Sequence, residues 1–303
     1  MRCGDGQVPG GRFGAAGLLL RAPDAHRRPL VLMQRRSPWT QYGDLWGMPC
    51  GARQSGETPV QTALREAAEE AAVDPDRVRV RGERVDRAAG DAWPFISVVA
   101  DAAEPLPVRP NPACTELAWI PEREVTGLNL HPAFAVNWSA LRVSRMGLVV
   151  DAANVVGSRP DGWWKDRAGA AERLLSGVAA AGPGVLALPG GFGASARTRE
   201  RFFGASARTR ERFFGADART RERFFGWVDR PVLVLEGAAS RAADVPGVDV
   251  VRAPGAADDT IIDIVTDPGR DWLVVTADRA LRARLPPHAH PLSPSSFRSW
   301  VGA

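Results

Sequence analysis

Five charged residues stand at fixed spacing in one short stretch: Glu57, then Arg65, Glu66, Glu69 and Glu70. On a helix that turns about 100° per residue, Glu66, Glu69 and Glu70 share one face. Three carboxylates that close repel one another and resist ionising together. A bound divalent cation relieves the conflict, and hard oxygen ligands completed by waters are what Mg2+ accepts. Arg65 can pair with Glu69 one turn on, or with Glu57 from the preceding loop, and so hold the acids in place.

The helix that must carry these groups is well specified. Thr58 is a suitable N-cap, Pro59 takes the first helical position, Gln61 completes a capping box, and an Ala-rich body runs to Ala72. Together, Gly51, five residues, Glu57, seven residues and Arg65-Glu66-Ala67-Ala68-Glu69-Glu70-Ala71-Ala72-Val73 resemble the box of the Nudix hydrolases. That box reads Gly-x5-Glu-x7-Arg-Glu-U-x-Glu-Glu-x-Gly-U, with U aliphatic. The upstream Leu45-Trp46-Gly-Met-Pro49 also resembles the approach to it. Three positions depart: Cys50 stands where Gly is common, Ala67 is small, and Ala72 replaces the last Gly. A Gly there often takes the left-handed conformation, so Ala72 should cost about 1 kcal/mol or shift the helix end. An amphipathic surface helix would explain the carboxylates, but not Gly51, Glu57 and the Trp-Pro approach.

The resemblance implies an α+β Nudix fold, a mixed sheet with a catalytic helix. It also implies hydrolysis of a pyrophosphate bond in a nucleoside-diphosphate-linked substrate, with Mg2+ or Mn2+ as cofactor. Glu66, Glu69 and Glu70 are the expected metal ligands, and Glu69, Arg65 and Glu57 the catalytic set, with Glu69 as base or further ligand. Gly51, Trp46 and Glu116 are the expected substrate-side residues. Trp39, Trp46 and Trp93 are each equally suited to stacking on a base and to filling core. No downstream Pro or Tyr stands at the spacings that mark the ADP-ribose or dinucleoside polyphosphate subgroups.

A second set of acids is dispersed over the C-terminal half. Asp151 ends the apolar run Gly147-Leu-Val-Val and is followed by Asn154; Asp258 and Asp259 open a helix expected at Thr260 to Val265; Asp278 follows the strand-like Trp272 to Thr276. In an open parallel sheet the carboxyl ends of the strands form the binding crevice, so these acids can converge there on a metal. The pattern resembles the NYN group of PIN-like nucleases, which implies metal-dependent cleavage of RNA. Taken singly, each acid is also a plausible helix cap or loop anchor. Arg279, Arg282 and Arg284 are the nearby candidates for phosphate contact, or simply a solvated helix face.

The periodicity divides the chain into residues 12–143, with strand-like runs at Phe13 to Leu20, Pro29 to Met33, Arg77 to Val85, Phe95 to Ala100 and Leu117 to Ile120, and residues 146–303. In the second part, strand-like runs at Pro231 to Leu235, Val248 to Arg252 and Trp272 to Thr276 alternate with helical stretches such as Lys165 to Ala181. That alternation implies an α/β PIN-like domain with a parallel sheet. An eleven-residue unit, Phe192 to Phe202, recurs at Phe203 to Phe213 and Phe214 to Phe224, with Asp217 replacing Ser in the last copy. This insert at 192–226 reads better as a solvated or partly helical loop than as an Arg and aromatic strip for single-stranded nucleic acid.

Composition bounds what remains. The chain has 303 residues, enough for two domains, with 45% apolar and 24% charged residues, as in ordinary globular proteins. Its net charge of +4 is misleading, because the insert carries nine Arg against three Glu and Asp217, a net of +5, which leaves the rest at −1. No apolar run reaches the roughly 18 residues of a membrane span. Cys3, Cys50 and Cys114 show no metal spacing and fit reduced thiols in a cytoplasmic protein without a secretory leader. The expected partners are a nucleotide-type small molecule and, at the C-terminal domain, RNA, with no membrane. The rival readings make the C-terminal nuclease the main activity, or the chain a regulatory module with a silent site.

Overall fold

The computed structural model describes residues 13–86, 95–188 and 224–302. Cys3, Trp93 and the repeat copies up to Arg223 lie outside the described residues. The chain divides into two compact units, the first containing Met1–Val143 and the second Ser144–Leu186 with Gly226–Ala303.

The first unit is built on a mixed sheet whose central strand, β1 (Ala15–Pro23), is buried along almost its whole length. It pairs antiparallel with β2 (Pro29–Arg36) at one end and with β4 (Cys50–Ala52) at the other. Between β2 and β4 runs the two-residue β3 (Trp46–Gly47), antiparallel to β2. On its other side β1 runs parallel to β6 (Phe95–Asp101), which pairs antiparallel with β5 (Arg79–Val85). The outer edge of β2 is covered by β7 (Cys114–Pro121). Strand β5 starts later than the expected Arg77, because Asp74 caps a 3-10 turn over Pro75–Arg77.

Helix α1 (Pro59–Ala71) lies across this sheet. Thr58 accepts from the Gln61 amide while the Gln61 side chain accepts from the Thr58 amide, which closes both ends of the capping box. Ala63, Ala67 and Ala71 form a stripe at four-residue spacing, fully buried against Ala16, Leu18, Leu20, Val98 and Ala100. Small side chains in that stripe let the helix lie close to β1, which accounts for Ala67. The helix ends on Ala72 in the left-handed conformation, φ 56°, ψ 29°, so this non-glycine residue takes the strained conformation and the end does not shift. A second helix, α2 (Pro132–Leu141), begins after His131, whose Nδ1 accepts from the Ala133 amide.

The second unit centres on β8 (Ser144–Asp151), followed by α3 (Ala152–Gly157) and α4 (Arg167–Ala181). Helix α4 begins at Arg167 because Asp166 caps it, and Trp163–Lys165 forms a separate 3-10 turn. After β9 (Gly184–Leu188) and β10 (Phe224–Val228) come β11 (Val232–Leu235), β12 (Asp249–Arg252), α5 (Ala257–Val265), β13 (Trp272–Val275), α6 (Arg279–Arg284), β14 (Ala289–Leu292) and α7 (Pro294–Val301). Strand β8 runs parallel to β10, β11 and β13, β11 parallel to β12, and β13 parallel to β14. Val149, Val234 and Val274 from the three inner strands pack with Ile261 and Val265 of α5. Among the described residues, no helix is long and apolar enough to cross a membrane.

Candidate active site

Arg65 is the hub of the charged group on α1. Its Nε donates to Glu57 Oε1 at 2.7 Å, one terminal nitrogen donates to Glu57 Oε2 at 3.1 Å and to the Ala52 carbonyl at 3.1 Å, and the other donates to Glu66 Oε1 at 2.7 Å. A looser contact at 3.5 Å reaches Glu69. Both alternatives open to Arg65 are therefore used, but Glu57 takes the bidentate fork. The Gln54 amide and the Thr62 hydroxyl also donate to Glu57. Arg65 is the main reason that the Glu57 carboxyl is held down to about 2. That carboxylate is a permanent anchor for Arg65.

Glu66 and Glu70 sit on the buried side of the same face, at 8% and 9% exposure, whereas the Glu69 side chain is 59% exposed. Burial pushes the Glu66 carboxyl up against the opposing pull of Arg65, and nearby Glu69 adds to the rise. Burial likewise raises Glu70, to about 7, although it accepts from the Cys50 amide at 3.0 Å and from Gln34 Nε2 at 3.1 Å; the charge of Glu66 pushes in the same direction. Gly51 makes the arrangement sterically feasible, because a Cβ there would stand 2.1 Å from the Glu66 carboxyl carbon.

The described residues contain no preassembled group of three His, Cys, Asp or Glu side chains able to hold a metal. Of the expected trio, Glu66 and Glu70 are drawn inward, and Glu69 stays at the surface beside Arg65. The donors still suit Mg2+ in kind. Two buried carboxylates resist ionising side by side, and the Gln34 Oε1 beside Glu70 is buried without a partner. Mg2+ usually needs only one or two protein carboxylates, with waters and substrate phosphates completing its shell. Gln34 carries no signal in the box spacing; the fold delivers it from β2 to Glu70.

Glu116 on β7 is half exposed and pairs with Arg35 at 3.4 Å. Trp46 is partly buried and is held through its backbone, accepting from the His131 amide and donating to the Asn129 carbonyl, each at 2.8 Å. Trp39 is 75% exposed, so it is not core.

Residues 11–142 match the family model described as the NUDIX domain. The N-terminal unit is a Nudix domain. Over 138 residues the chain is 48% identical to a Mycobacterium tuberculosis (strain H37Rv) protein named "Putative 8-oxo-dGTP diphosphatase 3", covering 44% of this chain and 64% of that one. Over 141 residues it is 33% identical to a nucleoside triphosphate pyrophosphatase/Nudix hydrolase fusion protein of Bifidobacterium longum (strain NCC 2705), covering 45% of this chain and 29% of that protein. The chain thus spans less than two thirds of the length of either relative. A crystal structure of a Nudix hydrolase from M. smegmatis, RenU, is 45% identical, covers 44% of this chain and 84% of its own, and superposes with a TM-score of 0.41.

In the second unit, a cavity of about 510 Å3 is lined by Asp151, Asn154, Glu236, Asp258 and Asp278 among others. Asp151, Glu236 and Asp278 each lie at or just past the carboxyl end of a strand. Asp151 accepts from the Asn154 amide and from the Thr276 hydroxyl, and burial is the first cause of its raised pKa, with Asp258 and Glu236 adding to it. Asp278 caps α6 through the Ala280 and Leu281 amides, and Glu236 accepts from the Ala257 amide at the start of α5. Two expectations are corrected. Helix α5 begins at Ala257, so Asp258 and Asp259 sit in its first turn and neither caps it. Adjacent helical residues point about 100° apart, and Asp259, 81% exposed at its side chain, turns to Arg284 and does not line the cavity. Arg284 is thereby engaged by an acid. Glu236 was not anticipated, because no local spacing marks a residue that the sheet brings in from β11.

Proposed function

We propose that the Nudix domain is a Mg2+-dependent pyrophosphohydrolase acting on a purine nucleoside triphosphate or a related nucleoside-diphosphate-linked compound. The observation that carries this reading is Arg65 locked between Glu57 and Glu66, beside the buried Glu70, with Gly51 vacating the space that Glu66 fills. Water oxygen bonds to a phosphorus of the anhydride, the P–O bond to the departing phosphate breaks, and the bridging oxygen of that phosphate takes the electron pair. Glu66 and Glu70 are assigned to hold the cation. That cation would supply charge neutralisation at the pyrophosphate oxygens and a more acidic bound water. Glu69, the exposed carboxylate, is assigned to take the proton from water. Glu57 orients Arg65, and Arg65 keeps Glu66 turned into the site. The name carried by the M. tuberculosis relative makes 8-oxo-dGTP the first substrate to try. Incubating the full chain with Mg2+ and 8-oxo-dGTP, dGTP, dinucleoside polyphosphates and nucleotide sugars tests the reading: it expects a nucleoside monophosphate and pyrophosphate from a triphosphate, and hydrolysis of none would overturn it.

A second reading is favoured by the acidic cavity of the second unit: a PIN-like domain with metal-dependent nuclease activity on RNA. Asp151, Asp278, Asp258 and Glu236 line the cavity without forming a preassembled metal group, so a cation would have to draw them together, and Asn154 positions Ala277 by accepting from its amide at 2.8 Å. Cleavage of a short RNA in Mn2+ that disappears in Asp151→Asn tests it; no cleavage by the wild-type chain would overturn it.

A further inference from the structure

Between β2 and β3 the chain makes a loop, residues 37–45, that is unusually constrained for an exposed segment. Tyr42 and Asp44 both adopt positive φ, 60° and 62°, which non-glycine residues avoid. A Cβ on the intervening Gly43 would lie 2.5 Å from the Pro38 carbonyl oxygen, so the loop closes tightly on itself. Backbone bonds clamp its base, Arg36 donating to Leu45 and Asp44 to Arg36, while the Arg36 Nε donates to the Gln41 carbonyl. Local strain of this kind persists where the surroundings over-determine it, and it concentrates at functional positions.

This rigid loop presents aromatic rings. Trp39 is 75% and Tyr42 47% exposed, and the Tyr42 ring meets His131 edge to face with centroids 4.6 Å apart. Large exposed aromatics held on a braced loop are a poor way to use apolar surface unless something covers them. The position of the loop indicates what that is. Strand β2, from which the loop leaves, sends Gln34 to Glu70, and β3, to which it returns, pairs beside Gln34 and accepts the His131 amide at Trp46, so the Tyr42–His131 pair is anchored on the strands that meet the carboxylates assigned to the cation. His131 is also in a defined state. Its Nδ1 accepts from the Ala133 amide, which leaves the ring proton on Nε2, where no described residue accepts it. Burial, with Arg36 nearby, lowers the imidazole pKa.

We propose that residues 37–45 and His131 form the nucleobase-recognition face of the Nudix site, with Trp39 and Tyr42 as stacking surfaces and the His131 Nε2–H as donor to an acceptor on the base edge, such as a purine oxo group. Every base offers a π-face, so stacking supplies affinity, while the fixed donor selects bases that carry an acceptor there. The assignment rests on the pyrophosphohydrolase reading of the neighbouring carboxylates and deepens it by assigning residues to the base.

Calorimetric binding of dGMP and of ribose 5-phosphate to the full chain tests the proposal without depending on turnover. Trp39→Ala should weaken dGMP binding at least about fivefold, the lower end of what one base stack contributes. Trp39→Phe should retain most of the affinity, and ribose 5-phosphate should bind wild type and variants alike. His131→Ser, which keeps an N-cap but removes the donor, should also weaken dGMP. With triphosphates, the same variants should raise KM for dGTP while leaving kcat within about twofold. Failure of wild type to bind dGMP, unchanged dGMP binding in both Trp39→Ala and His131→Ser, or equal losses for dGMP and ribose 5-phosphate would overturn the base face. Selective dGMP binding without any hydrolysis of dGTP would instead uphold the base face and remove the pyrophosphohydrolase reading.

Discussion

The two units each gather carboxylates, with Glu66 and Glu70 buried in the first and Asp151 buried in the second, but they restrain them by different means. In the Nudix domain a cation belonging to the chain is built into the group: Arg65 grips Glu57 with two nitrogens and Glu66 with a third. In the second unit Asp151, Glu236 and Asp278 are held by backbone amides and one hydroxyl, and the arginine nearby, Arg284, bonds to Asp259 and reaches Asp258 only at 4.0 Å. An internal guanidinium fixes geometry before any ligand arrives. Amide caps fix each acid separately; burial first raises the pKa of both Asp151 and Asp258, and neighbouring acids add to the rise, with Arg284 opposing it at Asp258. On this comparison the first site is expected to be preorganised for an anionic substrate, and the stability of the second unit is expected to respond more to a cation.

The largest expected effect breaks the first half of this contrast. Glu70→Gln should keep the fold and lower triphosphate hydrolysis at least about a hundredfold, the scale of losing one electrostatic catalytic group; steady-state rates within a few fold of wild type would remove Glu70 from the site.

Gly51→Ala should come next. The new Cβ displaces the Glu66 carboxyl while leaving every charge in place, and disturbing a supporting shell of this kind typically costs about 10–100-fold. A rate assay combined with a Mg2+ titration reads it, and an undiminished rate would mean that Glu66 need not occupy that space.

The second unit is probed through stability. Mn2+ at about a hundred times its dissociation constant should stabilise this unit by about 2.7 kcal/mol, read as slower hydrogen exchange in β8 and β13. Asp151→Asn should remove that gain and Glu70→Gln should not. A flat response in wild type would show that these acids serve only as caps.

Smallest is the helix end. Ala72→Gly relieves a left-handed alanine and should raise the unfolding free energy by up to about 1 kcal/mol, after allowing for the greater freedom of Gly in the unfolded chain. Urea titration with unchanged activity is the expected result.

The same contrast explains how much could be read from the sequence. Helix α1, its capping box and its charged group lie within consecutive residues, so their geometry follows largely from the helical repeat, and Arg65 reaches both acids expected of it, Glu57 and Glu69, as well as the adjacent Glu66, which the spacing did not mark as a partner. The tertiary contributors were silent: Gln34 arrives through the fold, and Glu236 through its position at the end of β11 beside β8. Asp258 and Asp259 could not be told apart without the helix start, which fell at Ala257 and turned one towards the cavity and the other towards Arg284. Helix α2 was missed because apolar residues such as Ala133, Phe134, Val136 and Trp138 cover several of its faces, and because its cap is a histidine, an uncommon N-cap. Trp39 was ambiguous in sequence, since burial and stacking select the same residue type; only its exposure decided.

The central claim is that pyrophosphate chemistry belongs to the Nudix carboxylates and is independent of the acidic cavity in the second unit. The direct measurement is hydrolysis of dGTP and 8-oxo-dGTP in Mg2+ by the full chain carrying both Asp151→Asn and Asp278→Asn. The account predicts the wild-type rate with a nucleoside monophosphate and pyrophosphate as products. Loss of that activity in the double variant, with activity kept in Glu70→Gln, would contradict it.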